Sequence, residues 1–231
     1  MNKKIAIIIG GCGHKDGSEI HETTMTMLAI ENQGCKYEMF APNGEQYHVI
    51  NHLTGEEMPE KRNMLIEAAR IARGNIKNLD DFNVNNFDAV VFPGGYGVAK
   101  NFFNYAFKGT NATVIPQISQ IIKEIKAAGK PIGALCIAPV LLTKVLENIT
   151  VTIGSNEATA NDVAFFGSRN INTSHGEVIS DKINKIFSTP AYMLDAGISD
   201  IAKGANNLIA AMLENMQIMN SDTKKVTTST N

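Results

Sequence analysis

The sequence predicts an α/β sandwich around a mostly parallel sheet, and three observations carry that prediction. Short, continuous apolar and β-branched runs recur at Ile5–Ile9, Phe87–Phe92 and in Lys130–Leu135, the composition of strands buried on both faces. Segments with helical apolar spacing alternate with them along the chain. Glycine-rich turns, Gly10-Gly-Cys-Gly and Pro93-Gly-Gly-Tyr-Gly, close two of the strands. In such a sheet, ligands bind beyond the carboxyl ends of the strands near the switch point, so residues just after strands are the candidates for function.

Taken in order, Ile5–Ile9 is the first strand, and Asp16 with Glu19 three residues on forms a capping-box start for a helix. That helix carries Ile20, Thr24, Met27 and Leu28 on one side and stops at Gly34. Lys36–Ala41 is the second strand. Tyr47–Met58 holds a short strand and a Thr54-Gly55 turn, and Glu60–Arg73 a helix stopped by Gly74. Phe87–Phe92 is a buried strand. Ile115, Ile118, Ile121, Ile122 and Ile125 give Val114–Ala128 a helical apolar face, with Gly129 as its stop. After the strand that ends at Cys136, Val140–Leu146 continues as helix, Thr150–Ile153 is a short strand and Asn156–Phe166 a helix. Glu177–Thr189 forms a hairpin around Asp181-Lys182, and Ala196–Met216 is the closing helix.

The 231 residues, 44% of them apolar, are enough for one substantial core, and a single domain over 1–219 is expected, with the polar, Thr-rich 220–231 as a disordered tail. A net charge of −2 and a pI near 6.2 leave no basic footprint for nucleic acid. No apolar run reaches the ~20 residues that span a bilayer, and the start resembles neither a secretory signal nor a transit peptide. Three cysteines, Cys12, Cys35 and Cys136, are too few and odd for a disulfide framework. Together these features predict a cytoplasmic protein whose partners are small and neutral.

Cys136 stands out by its neighbours. Ala134 and Ala138 flank it at the small-x-nucleophile-x-small spacing that a tight strand-to-helix turn requires. On such an elbow the thiol stands exposed, and the helix N-terminus favours thiolate. A buried structural cysteine fits the same stretch. Gly94 and Gly95, with the N–H of Ile137, are candidates for an oxyanion hole; ordinary turns use glycines equally well. Spacing alone makes Glu22 a solvated first-turn glutamate. Cys12 and His21 are candidate site-lining residues, with His21 pointing away from Glu22 on the helix.

Gly17-Ser-Glu-Ile-His-Glu, Pro93-Gly-Gly-Tyr-Gly, Cys136-Ile-Ala-Pro and Thr189-Pro-Ala-Tyr-Met-Leu together resemble the ElbB family, in the PfpI-like branch of the class I glutamine amidotransferase-like superfamily. The resemblance runs from about Lys4 to Met212. It implies a flavodoxin-like sandwich, usually dimeric, with a reactive elbow cysteine at Cys136 and an acidic partner at Glu22. It also implies a cofactor-independent glyoxalase, acting on a small dicarbonyl without metal or glutathione. The residue after the cysteine is Ile137, not the histidine of many relatives, so a Cys-His-Glu triad is not expected. His175-Gly-Glu177 resembles a glutaminase His-x-Glu only in composition. The competing reading is a non-catalytic or redox-sensing protein linked to isoprenoid metabolism, with a glutaminase as a third.

Overall fold

The structure, a computed structural model, describes residues 3–228, with side chains as far as Gln217. The strands are β1 (Lys4–Ile8), β2 (Lys36–Ala41), β3 (Ile76–Asn78), β4 (Ala89–Phe92), β5 (Ile132–Leu135), β6 (Thr150–Val151), β7 (Arg169–Asn170), β8 (Ile179–Asp181) and β9 (Ile186–Thr189). The helices are α1 (Ile20–Asn32), α2 (Met64–Ile71), α3 (Tyr105–Lys108), α4 (Pro116–Ala127), α5 (Ala138–Val145), α6 (Glu157–Phe165) and α7 (Ile198–Thr228). The main sheet has the order β3-β2-β1-β4-β5-β9-β8, and β6 and β7 form a separate pair. All pairings in the main sheet are parallel except β8 with β9. The central β2-β1-β4-β5-β9 follow the flavodoxin-like order, with the switch point between β1 and β4.

Strand alternation divides the core into two halves. Ile5, Ile7 and Ile9 point toward α1 and α7, while Ala6 and Ile8 point toward the layer holding α4 and α5. The α4 face is built as the apolar spacing requires: Ile118, Ile121, Ile122 and Ile125 are buried, each contributing about 1.5–3 kcal/mol. The hairpin is also as expected, with Asp181 opposite Ile186.

Several elements differ from the sequence expectation. Helix α1 begins at Ile20, because Glu19 is its cap, accepting the Glu22 N–H at 2.6 Å. Asp16 is instead buried and accepts the Ile50 N–H at 2.7 Å. The face expected inward is largely outward: Ile20 is 43% and Leu28 46% exposed, while Glu22, Thr23, Thr26, Ala29 and Ile30 are buried. Helix α1 lies against α7, and the buried Thr23 and Thr26 hydroxyls are satisfied by the carbonyls of Glu19 and Glu22. Helix α2 starts about a turn late. Residues 62 and 64 are held by backbone bonds to Gln46 and Gly44, and Asn63 caps the helix by accepting the N–H groups of Leu65 and Ile66. Tyr47–Met58 contains the bridge Ile50–Glu57 but no named strand. Strands β3 and β7 and a π-helical turn at Gly97–Phe102 were not expected, being too short for periodicity to register.

Helix α7 runs on to Thr228, taking in the first part of the 220–231 segment expected as a tail, since no glycine or proline after Gly204 interrupts it. Residues 229–231 lie outside the described range. Among the described residues no helix is long and apolar enough to cross a membrane.

Replacing the α2 cap, Asn63→Ala, frees two first-turn donors and should cost about 1 kcal/mol, read as a lowered urea midpoint at unchanged m.

Candidate active site

The switch point brings together the ends of β1, β4 and β5. Backbone bonds lace the loop after β1 to the loop after β4: Gly97 N–H donates to Gly17 at 2.7 Å, Glu19 N–H to Gly94 at 3.0 Å and Tyr96 N–H to His14 at 2.8 Å. Glycine is required for this approach. A Cβ on Gly95, whose φ is +88°, would lie 2.4 Å from the Glu19 nitrogen, and one on Gly94 would lie 2.6 Å from Cys136 Cβ and 2.8 Å from Glu22 Oε2.

Cys136 forms the elbow between β5 and α5, with φ at +59°. A non-glycine residue in that region costs about 1–2 kcal/mol, and the surroundings hold it there. Its N–H donates to Thr189 at 3.1 Å, and Ala134 and Ala138 are fully buried beside it, as the small-residue spacing demands. The backbone N–H groups of Gly95 and Ile137 are directed at the sulfur.

Glu22 is 0% exposed and hydrogen-bonded to the Cys136 thiol. Its Oε2 accepts the Gly94 N–H at 2.8 Å and its Oε1 the Tyr192 N–H at 3.3 Å. The solvated first-turn glutamate that spacing alone favours is therefore not what the fold makes. Burial, followed by the nearby charge of Glu19, pushes the Glu22 carboxyl up to about 7. Burial also raises the Cys136 thiol well above its ordinary value, with Glu22 adding to the effect. The thiolate expected from the helix N-terminus is thus overruled at rest, because desolvation outweighs the dipole. Cys136 holds its proton, and Glu22 is the adjoining base poised to take it.

Cys136 is 8% exposed and opens onto a cavity of about 390 Å³. Its lining includes Gly95, Ile137, Tyr96, Met193 and Tyr192, together with His14, Glu19, Tyr105 and Thr159. Burial and then His52 lower the His14 imidazole pKa, which favours its neutral form. Tyr105 donates to Asp162 at 2.5 Å, and burial keeps its phenol protonated. Among the described residues no lysine or arginine lines the cavity.

Among the expected site residues, Gly94 does not serve as an oxyanion donor, because its N–H is taken by Glu22; Gly95 and Ile137 remain. Cys12 is not in the cavity wall. It lies toward Glu67 and Arg70, because the loop after β1 folds back over Gly17. His21 is outside the wall as well, at the rim, with Nδ1 2.8 Å from the Tyr192 hydroxyl. His175 and Glu177 border a separate groove of about 520 Å³, consistent with their likeness to a triad being compositional. From the sequence, Tyr192 is marked only as part of a motif and Glu19 only as a helix-start residue, while Tyr105 and Asp162 carry no signal that separates them from surface residues.

The flavodoxin-like sheet with an elbow cysteine at its switch point makes this a protein of the class I glutamine amidotransferase-like superfamily. The chain belongs to the DJ-1/PfpI family, whose sequence pattern matches residues 3–182. It is 37% identical over 221 residues to human (Homo sapiens) "glutamine amidotransferase-like class 1 domain-containing protein 3, mitochondrial", spanning 91% of this chain and 82% of the relative. The isoprenoid biosynthesis protein with amidotransferase-like domain from Ehrlichia chaffeensis superposes with a TM-score of 0.85 at 36% identity, covering 91% of this chain and 99% of that one. This agrees with the ElbB-like resemblance. Glyoxalase III from Candida albicans shares the fold, with a TM-score of 0.58 at 14% identity over 90% of this chain and 97% of its own. The human relative is mitochondrial by name, so that comparison does not carry the cytoplasmic expectation.

Two outcomes follow from the buried pair. Because the folded-state pKa of Glu22 is raised from 4.5 to about 7, its protonated form contributes stability below about pH 4.5 that is lost as pH rises through about 7. Glu22→Gln should remove that loss, gaining on wild type by up to ~3 kcal/mol between those limits in denaturant unfolding. Gly94→Ala should cost about 1–3 kcal/mol by overpacking, and should slow Cys136 alkylation because the new methyl displaces the thiol or the carboxyl.

Proposed function

We propose that the chain is a cofactor-independent glyoxalase, converting glyoxal to glycolate or methylglyoxal to lactate with water as co-reactant. The observation behind this reading is a thiol that faces a cavity on one side and a carboxyl of raised pKa on the other. The Cys136 sulfur bonds to the aldehyde carbon as its proton passes to Glu22, and the N–H groups of Gly95 and Ile137 meet the charge on the oxygen. Glu22 hands that proton to the oxygen, completing the hemithioacetal, and as carboxylate again takes the proton from the hemithioacetal carbon and delivers it to the neighbouring carbon through an enediol. Water cleaves the resulting thioester, releasing the hydroxy acid and restoring the thiol. With no histidine in the position of a triad base, Glu22 handles most of the proton traffic and turnover is slow.

Two features weigh against the alternatives. A redox sensor works through a low-pKa, accessible thiolate, whereas burial holds Cys136 as thiol. Glutamine brings a carboxylate, and among the described residues the cavity wall offers it neither lysine nor arginine. The proposal includes a homodimer, for which exposed Ile20 and Leu28 on α1 supply apolar surface, and a reducing compartment, for which we take the cytoplasm.

Purified protein given glyoxal should accumulate glycolate in many-fold excess over enzyme. Cys136→Ala should fall to background, and Glu22→Gln should lose about 10²-fold or more in kcat. Thiol loss in a one-to-one ratio with no hydroxy acid would sink the glyoxalase reading in favour of the sensor; ammonia release from glutamine, abolished by Cys136→Ala, would replace it with the glutaminase.

A further inference from the structure

The cavity at Cys136 is larger than the shortest substrates of the proposed reaction require. Its volume of about 390 Å³ falls within the ~300–1,000 Å³ of clefts that enclose drug-sized ligands, so glyoxal, with two carbons and two oxygens, leaves most of it to water. Two features of the wall bear on what fills the remainder. The first is that its polar tips are already engaged. The Tyr105 hydroxyl donates to Asp162 and is bonded by Thr159, the Tyr192 hydroxyl lies 2.8 Å from His21 Nδ1, and Glu19 Oε2 accepts the Glu22 N–H at 2.6 Å. With His14 favouring its neutral form, the tyrosine bodies and the aliphatic Ala99, Ala106, Ile137 and Met193 are the main surface offered to a ligand. The second is that the wall is tied in place: the bond between Tyr105 and Asp162 joins α3 to α6, and burial keeps that phenol protonated.

We propose that the preferred substrate is an α-oxoaldehyde carrying an apolar alkyl or aryl group, with glyoxal and methylglyoxal as the short members of the series; the inference rests on the glyoxalase reading. The Cys136 sulfur bonds to the aldehyde carbon, and the thiol proton completes the hemithioacetal hydroxyl. The proton on that carbon moves to the former ketone carbon through the enediol, leaving a thioester that water cleaves to the hydroxy acid and the thiol. In sum R–CO–CHO and water give R–CHOH–COOH, with no oxidant or reductant, and the group R takes no part in bond making. It lies against the wall instead, displacing water that engaged polar groups hold poorly. Each methylene removed from water in this way contributes about 4-fold in affinity.

With the full chain, kcat/KM should rise about 10-fold from methylglyoxal to propylglyoxal, whose two extra methylenes leave the dicarbonyl chemistry alone, and phenylglyoxal should move the same way. The gain should fall on KM, since the substituent is bound alike before and during bond formation. Ala106 is an exposed position of the wall where a larger side chain does not disturb the core, so Ala106→Phe should bring the propylglyoxal-to-methylglyoxal ratio back towards one. Acetophenone, which has the ring but no aldehyde, should compete with methylglyoxal in wild type and more weakly in Ala106→Phe. A flat or falling series, or a ratio and a competition that Ala106→Phe leaves untouched, overturns the substrate class and leaves the glyoxalase reading standing. Absence of hydroxy acid from every member of the series overturns both.

Discussion

A carboxyl and a thiol enclosed together away from water cannot both give up their protons, and that constraint organises this molecule. Glu22 and Cys136 come from elements more than a hundred positions apart; burial disfavours the charge of each, and Glu22 further disfavours the thiolate while the thiol's hydrogen bond supports the carboxylate. The pair therefore holds a proton that can move between sulfur and oxygen. Polar burial on this scale is tolerated because the ionised carboxylate has assigned partners, the N–H groups of Gly94 and Tyr192 as well as the thiol.

Holding the pair together is a problem of close approach, solved by glycine. The loops after β1 and β4 meet backbone to backbone, with no room for a Cβ at Gly94 or Gly95. The same closeness reassigns the donors. Gly94 spends its N–H on Glu22, so the backbone N–H groups directed at the sulfur are those of Gly95 and Ile137. The elbow strain at Cys136 is carried by the packing of the buried alanines on either side.

The cavity wall sets the chemistry beyond the pair. Among the described residues it combines apolar side chains with tyrosines, a histidine whose neutral form is favoured and one glutamate, with no lysine or arginine. Such a lining offers an anion no fixed positive charge. Tyr192 joins wall and pair, since its backbone supports Glu22 and its hydroxyl reaches the rim through His21.

The sheet, its switch point and the elbow were legible in the chain, because buried parallel strands, helix stops and small residues around a nucleophile are local patterns. Glu22 was not legible from spacing; only likeness to relatives raised it above a solvated glutamate. Sequence also misjudged the face of α1, since Ile20 and Leu28 look like core positions and Glu22, Thr23 and Thr26 do not. What the residues determined alone was which segments become strands and helices and where the backbone must turn sharply. What tertiary structure decided was which side of α1 is shut from water, which N–H groups remain free and on which atom the shared proton rests. Those depend on desolvation and on distances between segments remote in sequence, and no local pattern encodes either.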